Sequence, residues 1–257
     1  MVLYLIIMIT YTNLEGISFP VLTNTFNKAF ADYSVPMHMS EDDLESHLAS
    51  NSYDPSLSCG AFENGCLVGF VFIGKRGNVI YDAGTAVMKE YRGKHVASSM
   101  LRQIIDKMEE NGVSEFVLEC ISGNERAQKL YRSLGFEEKR NLTCHTLEGM
   151  GTLSSEVSEC DDLSPSCQDF EPTWQNAPES LDGNVVAYRH VKERIVLRRN
   201  GSVCYSSADR VLIEHVLKPF GRLRFVNVLK NSALDNLLRE MGSKLFAEQV
   251  EMHIMKP

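Results

Sequence analysis

The stretch from Val79 to Met108 places the tightest limit on how this chain can fold. An apolar run, Val79 to Val87, leads through Met88-Lys89-Glu90-Tyr91 into Arg92-Gly93-Lys94-His95. A helical pattern starts at once, with Val96, Ala97, Met100, Leu101, Ile104, Ile105 and Met108 on one face. Strand, basic glycine turn and helix start together make an anion-binding arrangement. The first N–H groups of a helix have no partner inside it, and the helix dipole favours negative charge there. Arg92 and Lys94 would add positive charge. An ordinary helix start with solvated charges gives the same pattern, so the turn alone leaves both readings open.

The flanking sequence predicts a mixed α/β architecture. A helix is expected over residues 18–31, with Phe19, Leu22, Phe26 and Phe30 at helical spacing and Pro20 in its first turn. Ser40-Glu41-Asp42-Asp43 has capping-box form and opens a second helix. Asp32 to Met39 is the loop between them. Cys59 to Phe62 and Cys66 to Ile73 read as strands joined by Glu63-Asn64-Gly65, with a further turn at Gly74 to Gly77. Gly84 within the next strand indicates a bulge or a close ligand. The long helix stops at Asn111-Gly112, and Phe116 to Ile121 is a buried strand. Asn124 caps a helix that carries Ala127, Leu130, Tyr131 and Leu134 on one side and ends at Gly135.

Two signatures in this order resemble those of the GNAT superfamily of acyl-CoA N-acyltransferases. Arg92-Gly93-Lys94-His95-Val96-Ala97 is similar to Arg/Gln-x-x-Gly-x-Gly/Ala. Asn124 to Phe136 is similar to Asn-x-x-Ala-x-x-Leu-Tyr-x-x-x-Gly-Phe at every stated position. The resemblance implies a GNAT-like fold with a mixed sheet. It implies that acetyl-CoA is the acyl donor, its pyrophosphate cradled by Arg92 to Ala97. It also implies a splayed strand whose backbone at Thr85, Ala86 and Val87 holds the pantetheine arm, with Asn124 and Ala127 contacting the coenzyme. Asn124 is equally well explained as a plain helix cap. His95 departs from the pattern, standing where the family usually has Gly. A Cβ there would crowd close approach to a phosphate, although a helix-start conformation does not forbid His.

Composition narrows the remaining classes. The chain has 257 residues, 44% hydrophobic and 23% charged, enough for one large or two small domains. Net charge is −8, but nine of the 34 acids lie between Glu148 and Asp182, where there is no Lys or Arg. The rest of the chain holds 26 basic and 25 acidic residues, which argues against nucleic acid as a partner. Seven scattered cysteines without a Cys-x-x-Cys pair indicate reduced thiols and a cytoplasmic location, and no His or Cys cluster suggests a metal site. Met1 to Ile9 is apolar but too short to span a bilayer, so a buried first strand is expected and no membrane partner.

The expected organisation is a first domain at 8–147, an acidic linker at 148–182 whose early part, Gly149 to Ser166, is mobile, and a smaller second domain at 183–257. The second half looks like a reduced copy of the first. Shifted by 107 positions, Asn124 falls on Asn231, Leu130 on Leu237, Arg132 on Arg239 and Gly135 on Gly242. The copy's glycine turn would fall on Arg199 to Cys204, which lacks the signature, and its tyrosine position is Leu238. A degenerate GNAT-like half without a coenzyme site is therefore expected. Chance similarity between generic strand–helix units also gives such a match. Trp174 is expected to pack the linker down.

Acyl transfer to an amine needs a held donor, a neutral amine and a proton for the departing thiolate. By the resemblance, Tyr131 is the general acid, although aromatics on an apolar helix face also simply pack. Asp82, Glu119 or a water chain could serve as base, and Cys120 reads as a buried, inert thiol. The expected function is transfer of an acetyl group from coenzyme A to a primary amine on a small molecule or peptide. The alternative is a non-catalytic, coenzyme-binding regulatory protein.

Overall fold

The computed structural model describes residues 8–32, 37–164, 172–181 and 183–256. Residues 1–7 of the expected first strand, 33–36 of the loop after the first helix, and 165–171 of the expected linker lie outside the described residues. The chain packs as two compact units. One comprises Met1–Leu118, Lys129–Glu137 and His253–Pro257; the other comprises Glu119–Gln128 and Glu138–Met252.

In the first unit, β1 (Ile9–Thr12), β2 (Cys59–Glu63), β3 (Cys66–Arg76) and β4 (Val79–Val87) pair in antiparallel succession. Asn64 and Gly65 turn the β2–β3 hairpin with positive φ at both positions, as a two-residue turn of this hand requires. The turn expected at Gly74 to Gly77 comes later. β3 keeps its pairing to Arg76, because Gly74 still lies opposite Tyr81, and only Gly77 takes positive φ. α1 (Phe19–Phe30) and α2 (Glu41–Ser50) follow the sequence patterns, and Ser40 with Asp43 closes the capping box.

Alternation along β3 sends Phe70 and Phe72 to one face and Gly69 to the other. Phe70 stacks on Phe26 of α1 at 6.0 Å. A Cβ at Gly69 would meet Met100 of α3 (Val96–Asp106) at 3.4 Å. The sheet is thus covered by α1 on one face and α3 on the other, and Phe26, Phe70, Phe72, Met100 and Leu101 are fully buried between these layers. α3 ends five residues before the Asn111-Gly112 stop, and turns carry Lys107 to Gly112.

β5 (Glu115–Ile121) pairs parallel to β4, but only at Val79, Ile80 and Tyr81. Past Tyr81 the two strands part while β4 runs on to Val87, so six β4 residues lose their second neighbour. α4 (Glu125–Ser133) follows β5, and Gly135 (φ 96) closes it.

In the second unit, β6 (Glu137–Glu148), missed by periodicity, pairs antiparallel with β11 (Arg222–Leu229). β7 (Val157–Cys160), β8 (Val185–His190), β9 (Glu193–Arg198) and β10 (Ser202–Ser206) pair antiparallel in turn. α5 (Arg210–Phe220), α6 (Ala233–Glu240) and β12 (Lys244–Met255) as far as Met252 complete it. The stretch 149–166, expected to be mobile, contains β7. Its acids, Glu156 and Glu159, are exposed while Val157 is buried, so surface charge hid the strand pattern. Trp174 sits in a short turn. Ser180 Oγ donates to its carbonyl at 2.6 Å, and Asn176 Nδ2 donates to the Val226 carbonyl at 2.8 Å.

β10 and β11 pair parallel only at Ser202–Arg224 and Val203–Phe225, then part as β4 and β5 do. The strand-to-helix turn of this half is therefore Ser206 to Asp209, not Arg199 to Cys204, of which Arg199 to Gly201 close the β9–β10 hairpin and Ser202 to Cys204 lie in β10. Asp209 caps α5 by accepting the Leu212 N–H at 3.0 Å, so a carboxylate already lies where an anion would bind. No helix among the described residues is long and apolar enough to cross a membrane.

Candidate active site

The site is built at the end of the β4–β5 pairing. The β3–β4 register shifts between Phe72–Gly84 and Ile73–Asp82, leaving Ala83 as the extra residue of a β-bulge. The bulge expected from Gly84 is present, but its cause is different. Gly84 has an ordinary φ, and a Cβ there would meet Phe72 at 3.5 Å, a normal contact. The bulge is tied instead by Asp82, which accepts the Gly84 N–H at 2.9 Å and the Thr85 hydroxyl at 2.6 Å. An aspartate folding back on the residues two and three positions further on offers the backbone an alternative to the ladder.

This local kink brings together the two residues expected to do chemistry. The Tyr131 hydroxyl donates to Asp82 Oδ2 at 3.3 Å. Tyr131 is 8% exposed, and its ring meets Phe136 edge-on at 5.6 Å. Asp82 is equally buried, and that burial raises its carboxyl to about 6 although Thr85, Gly84 and Tyr131 all pull it down. A carboxyl near 6 with a phenol against it has the chemistry to exchange a proton near neutral pH. Glu119, the other carboxylate considered, lies in the second unit and accepts from Asn227 Nδ2 at 3.2 Å. Cys120 is buried there, as expected of an inert thiol.

Sequence reading missed His47. Its Nε2 lies 2.9 Å from the carbonyl of Ala83, the bulge residue. A lone histidine in a polar helix carries no pattern, and only the packing of α2 against β4 reveals the contact.

Met88 N–H pairs with Val68 of β3, so alternation turns the main-chain groups of Ala86 toward β3 and those of Thr85 and Val87 toward the parted side. Of the three residues expected to offer free backbone groups, Ala86 is thus spent on the ladder. The Val87 carbonyl accepts from Arg92 Nε at 2.9 Å.

Arg92 does not hold a free guanidinium over the turn. Its two terminal nitrogens fork onto Asp32 at 2.9 Å each, and Nη2 also reaches the Ala29 carbonyl at 2.6 Å. It ties the end of α1 to the end of β4, which the turn signature does not disclose. Lys94 Nζ lies over the Tyr91 ring at 5.4 Å.

What the turn does offer is backbone. The N–H groups of Gly93 through Ser98 find no acceptor among the described residues, and the first helical bond runs from Ser99 N–H to the His95 carbonyl. A run of such N–H groups at the start of an 11-residue helix fits a phosphate without any cationic side chain.

His95 adopts a left-handed conformation, φ 61 and ψ 14, rather than the helix-start geometry expected of it. Gly suits this position because a Cβ is strained there. His95→Gly is expected to stabilise the protein by about 1 kcal/mol, the relief of one left-handed non-glycine residue less the entropy of the freer chain. A thermal midpoint that falls on this substitution would show that the His side chain holds the turn.

Asn124 and Ala127 stand at the start of α4, where the Asn124 side chain accepts the Ala127 N–H at 3.1 Å as a helix cap. No group of three or more potential metal ligands occurs among the described residues.

The family model described as "Acetyltransferase (GNAT) family" matches residues 22–136. N-alpha-acetyltransferase 30 of Schizosaccharomyces pombe is 34% identical over 100 residues, covering 37% of this chain and 67% of that protein. The [ribosomal protein bS18]-alanine N-acetyltransferase of Escherichia coli is 32% identical over 98 residues, covering 37% of this chain and 64% of that protein. The alignments thus leave about a third of each relative unmatched. Across 97% of this chain and 99% of the other, the backbone is similar to that of a tandem GNAT protein from the clavulanic acid biosynthesis pathway, with a TM-score of 0.62 at 11% identity.

Proposed function

The chain belongs to the GNAT family of acetyltransferases, and on that premise we propose that it acetylates the amino-terminal amine of a peptide or protein. The family moves an acyl group from coenzyme A to an amine, and the mixed α/β fold is that of the family. The amino-terminal acceptor rests on the two relatives, one named as an N-alpha-acetyltransferase and the other as an alanine N-acetyltransferase, alanine having no side-chain amine. The observation that carries the chemistry is the contact between Tyr131 and Asp82.

The coenzyme pyrophosphate is held by the N–H groups of Gly93 to Ser98, with Lys94 the cation nearest the turn. The Thr85 and Val87 N–H groups are available to the pantetheine arm and the thioester carbonyl. The neutral amine attacks the carbonyl carbon and loses one N–H proton to the Asp82 carboxylate. As the C–S bond breaks, Tyr131 gives its hydroxyl proton to the sulfur. Asp82 then returns the proton to the Tyr131 oxygen, 3.3 Å away. One amine proton has reached the coenzyme thiol, and both side chains are as they began.

Nothing in the first unit favours the non-catalytic alternative. The scattered spacing of the cysteines, with no Cys-x-x-Cys pair, is what supports a reducing, cytoplasmic setting.

The test is a panel of acceptors with acetyl-CoA, following release of the free thiol. Peptides with an open N-terminus are expected to turn over. The same peptides blocked at the N-terminus but carrying lysine are not. Equal turnover of both sets, or turnover of small amines alone, overturns the acceptor assignment.

A further inference from the structure

We infer that His47 is a positioning residue: its imidazole N–H holds the Ala83 carbonyl and so maintains the bulge that turns Asp82 toward Tyr131. This rests on the proton-transfer roles given above to Asp82 and Tyr131.

A carbonyl oxygen can only accept, so His47 Nε2 must carry the proton of the 2.9 Å contact. Burial holds the imidazole below its ordinary pKa against the pull of that carbonyl, so the ring is neutral at physiological pH. The ring is held from behind by a rigid helix. Ser40 and Asp43 lock the start of α2, Leu44 and Leu48 are fully buried, and Asn51 Nδ2 donates to the His47 carbonyl at 2.8 Å.

Ala83 is the residue of β4 with no partner in the β3 register. Without His47 its carbonyl must find water or go unsatisfied, and either outcome loosens the bulge. The groups that bear on the Asp82 carboxyl are the Gly84 N–H, the Thr85 hydroxyl and the Tyr131 hydroxyl. All three distances depend on the backbone path through Ala83. Water admitted beside the carboxyl would also ease its ionisation.

His47→Leu keeps a similar volume but has no donor. It is expected to lower kcat by roughly ten- to a hundredfold, the cost of misplacing a reacting group. KM for acetyl-CoA should change little, and the acidic limb of the kcat profile, expected near pH 6 in the wild type, should move down toward 4. His47→Gln, whose amide nitrogen can reach the same carbonyl, is expected to restore both.

A folded His47→Leu enzyme with wild-type kcat and an unmoved limb overturns the assignment, as does a His47→Gln variant no better than Leu. Should the Leu variant not fold, His47→Asn, too short to reach Ala83, takes its place against Gln with the same expected contrast. Titration of the Asp82 carboxyl by 13C NMR in these variants reads the positioning without turnover. If Asp82→Asn keeps full activity, the proton-transfer roles fail. The Asp82 titration still decides whether His47 sets the carboxyl's environment.

Discussion

Tyr131→Phe is expected to lower kcat by about 10²- to 10⁴-fold, the usual loss when a positioned proton donor is removed. The substitution removes the hydroxyl and leaves the ring, whose edge-on contact with Phe136 holds this part of α4 in place. Thermal midpoint and coenzyme affinity should therefore stay near wild type, because the cradle N–H groups lie on a separate turn. The bond lost to Asp82 is long, at 3.3 Å, and contributes little to stability. Single-turnover acetylation with saturating acetyl-CoA measures the effect directly. Undiminished turnover would show that another group protonates the thiolate and would reduce Tyr131 to a packing residue.

Asp82→Asn is expected to produce opposite changes in stability and activity. In the folded protein the carboxyl is raised from 3.8 to about 6. A raised carboxyl favours the protonated form, so its contribution to stability is full below pH 3.8 and is lost as pH rises through 6. Above pH 7 the buried carboxylate costs up to about 3 kcal/mol, since each tenfold change in a protonation equilibrium is worth about 1.4 kcal/mol. The asparagine variant should therefore melt higher than wild type at pH 8 and at the same temperature near pH 4. Its kcat should fall, and the rise in activity through pH 6 should disappear with the group that titrates there. Urea unfolding at the two pH values, beside a kcat profile from pH 5 to 8, tests both halves. Equal stability at pH 8 would show that Asp82 is hydrated in the folded state. An intact pH 6 limb would assign that titration to another group.

The chain's periodicity was sufficient for α1, α2, α4, the β2–β3 hairpin and the two motif-bearing turns, because each is specified by neighbours a few residues apart. Ser40 and Asp43 cap α2 wherever that helix packs, and Asn64-Gly65 can turn only one kind of hairpin. β6 escaped because Leu142 to Leu147 are buried without alternation and include the polar Thr143, His145 and Thr146, and β7 because the exposed Glu156 and Glu159 lie beside a single buried Val157. Arg92 shows a different limit. Its place in the signature was evident, yet its partners Asp32 and Ala29 are 60 and 63 residues away, and no local pattern encodes them.

By itself, the sequence determined the family, the mixed α/β class and the strand–turn–helix that presents N–H groups to an anion, and it singled out Tyr131 for the proton-donor role proposed above. These follow from local spacing, which is written in the order of residues. The tertiary structure decided that Asp82 is buried against Tyr131 with its carboxyl raised to about 6, that Arg92 is a clamp, that His95 is strained, and that His47 reaches the bulge carbonyl. Each of these depends on burial or on a partner brought from far along the chain. Desolvation and long-range hydrogen bonds are properties of packing, not of spacing.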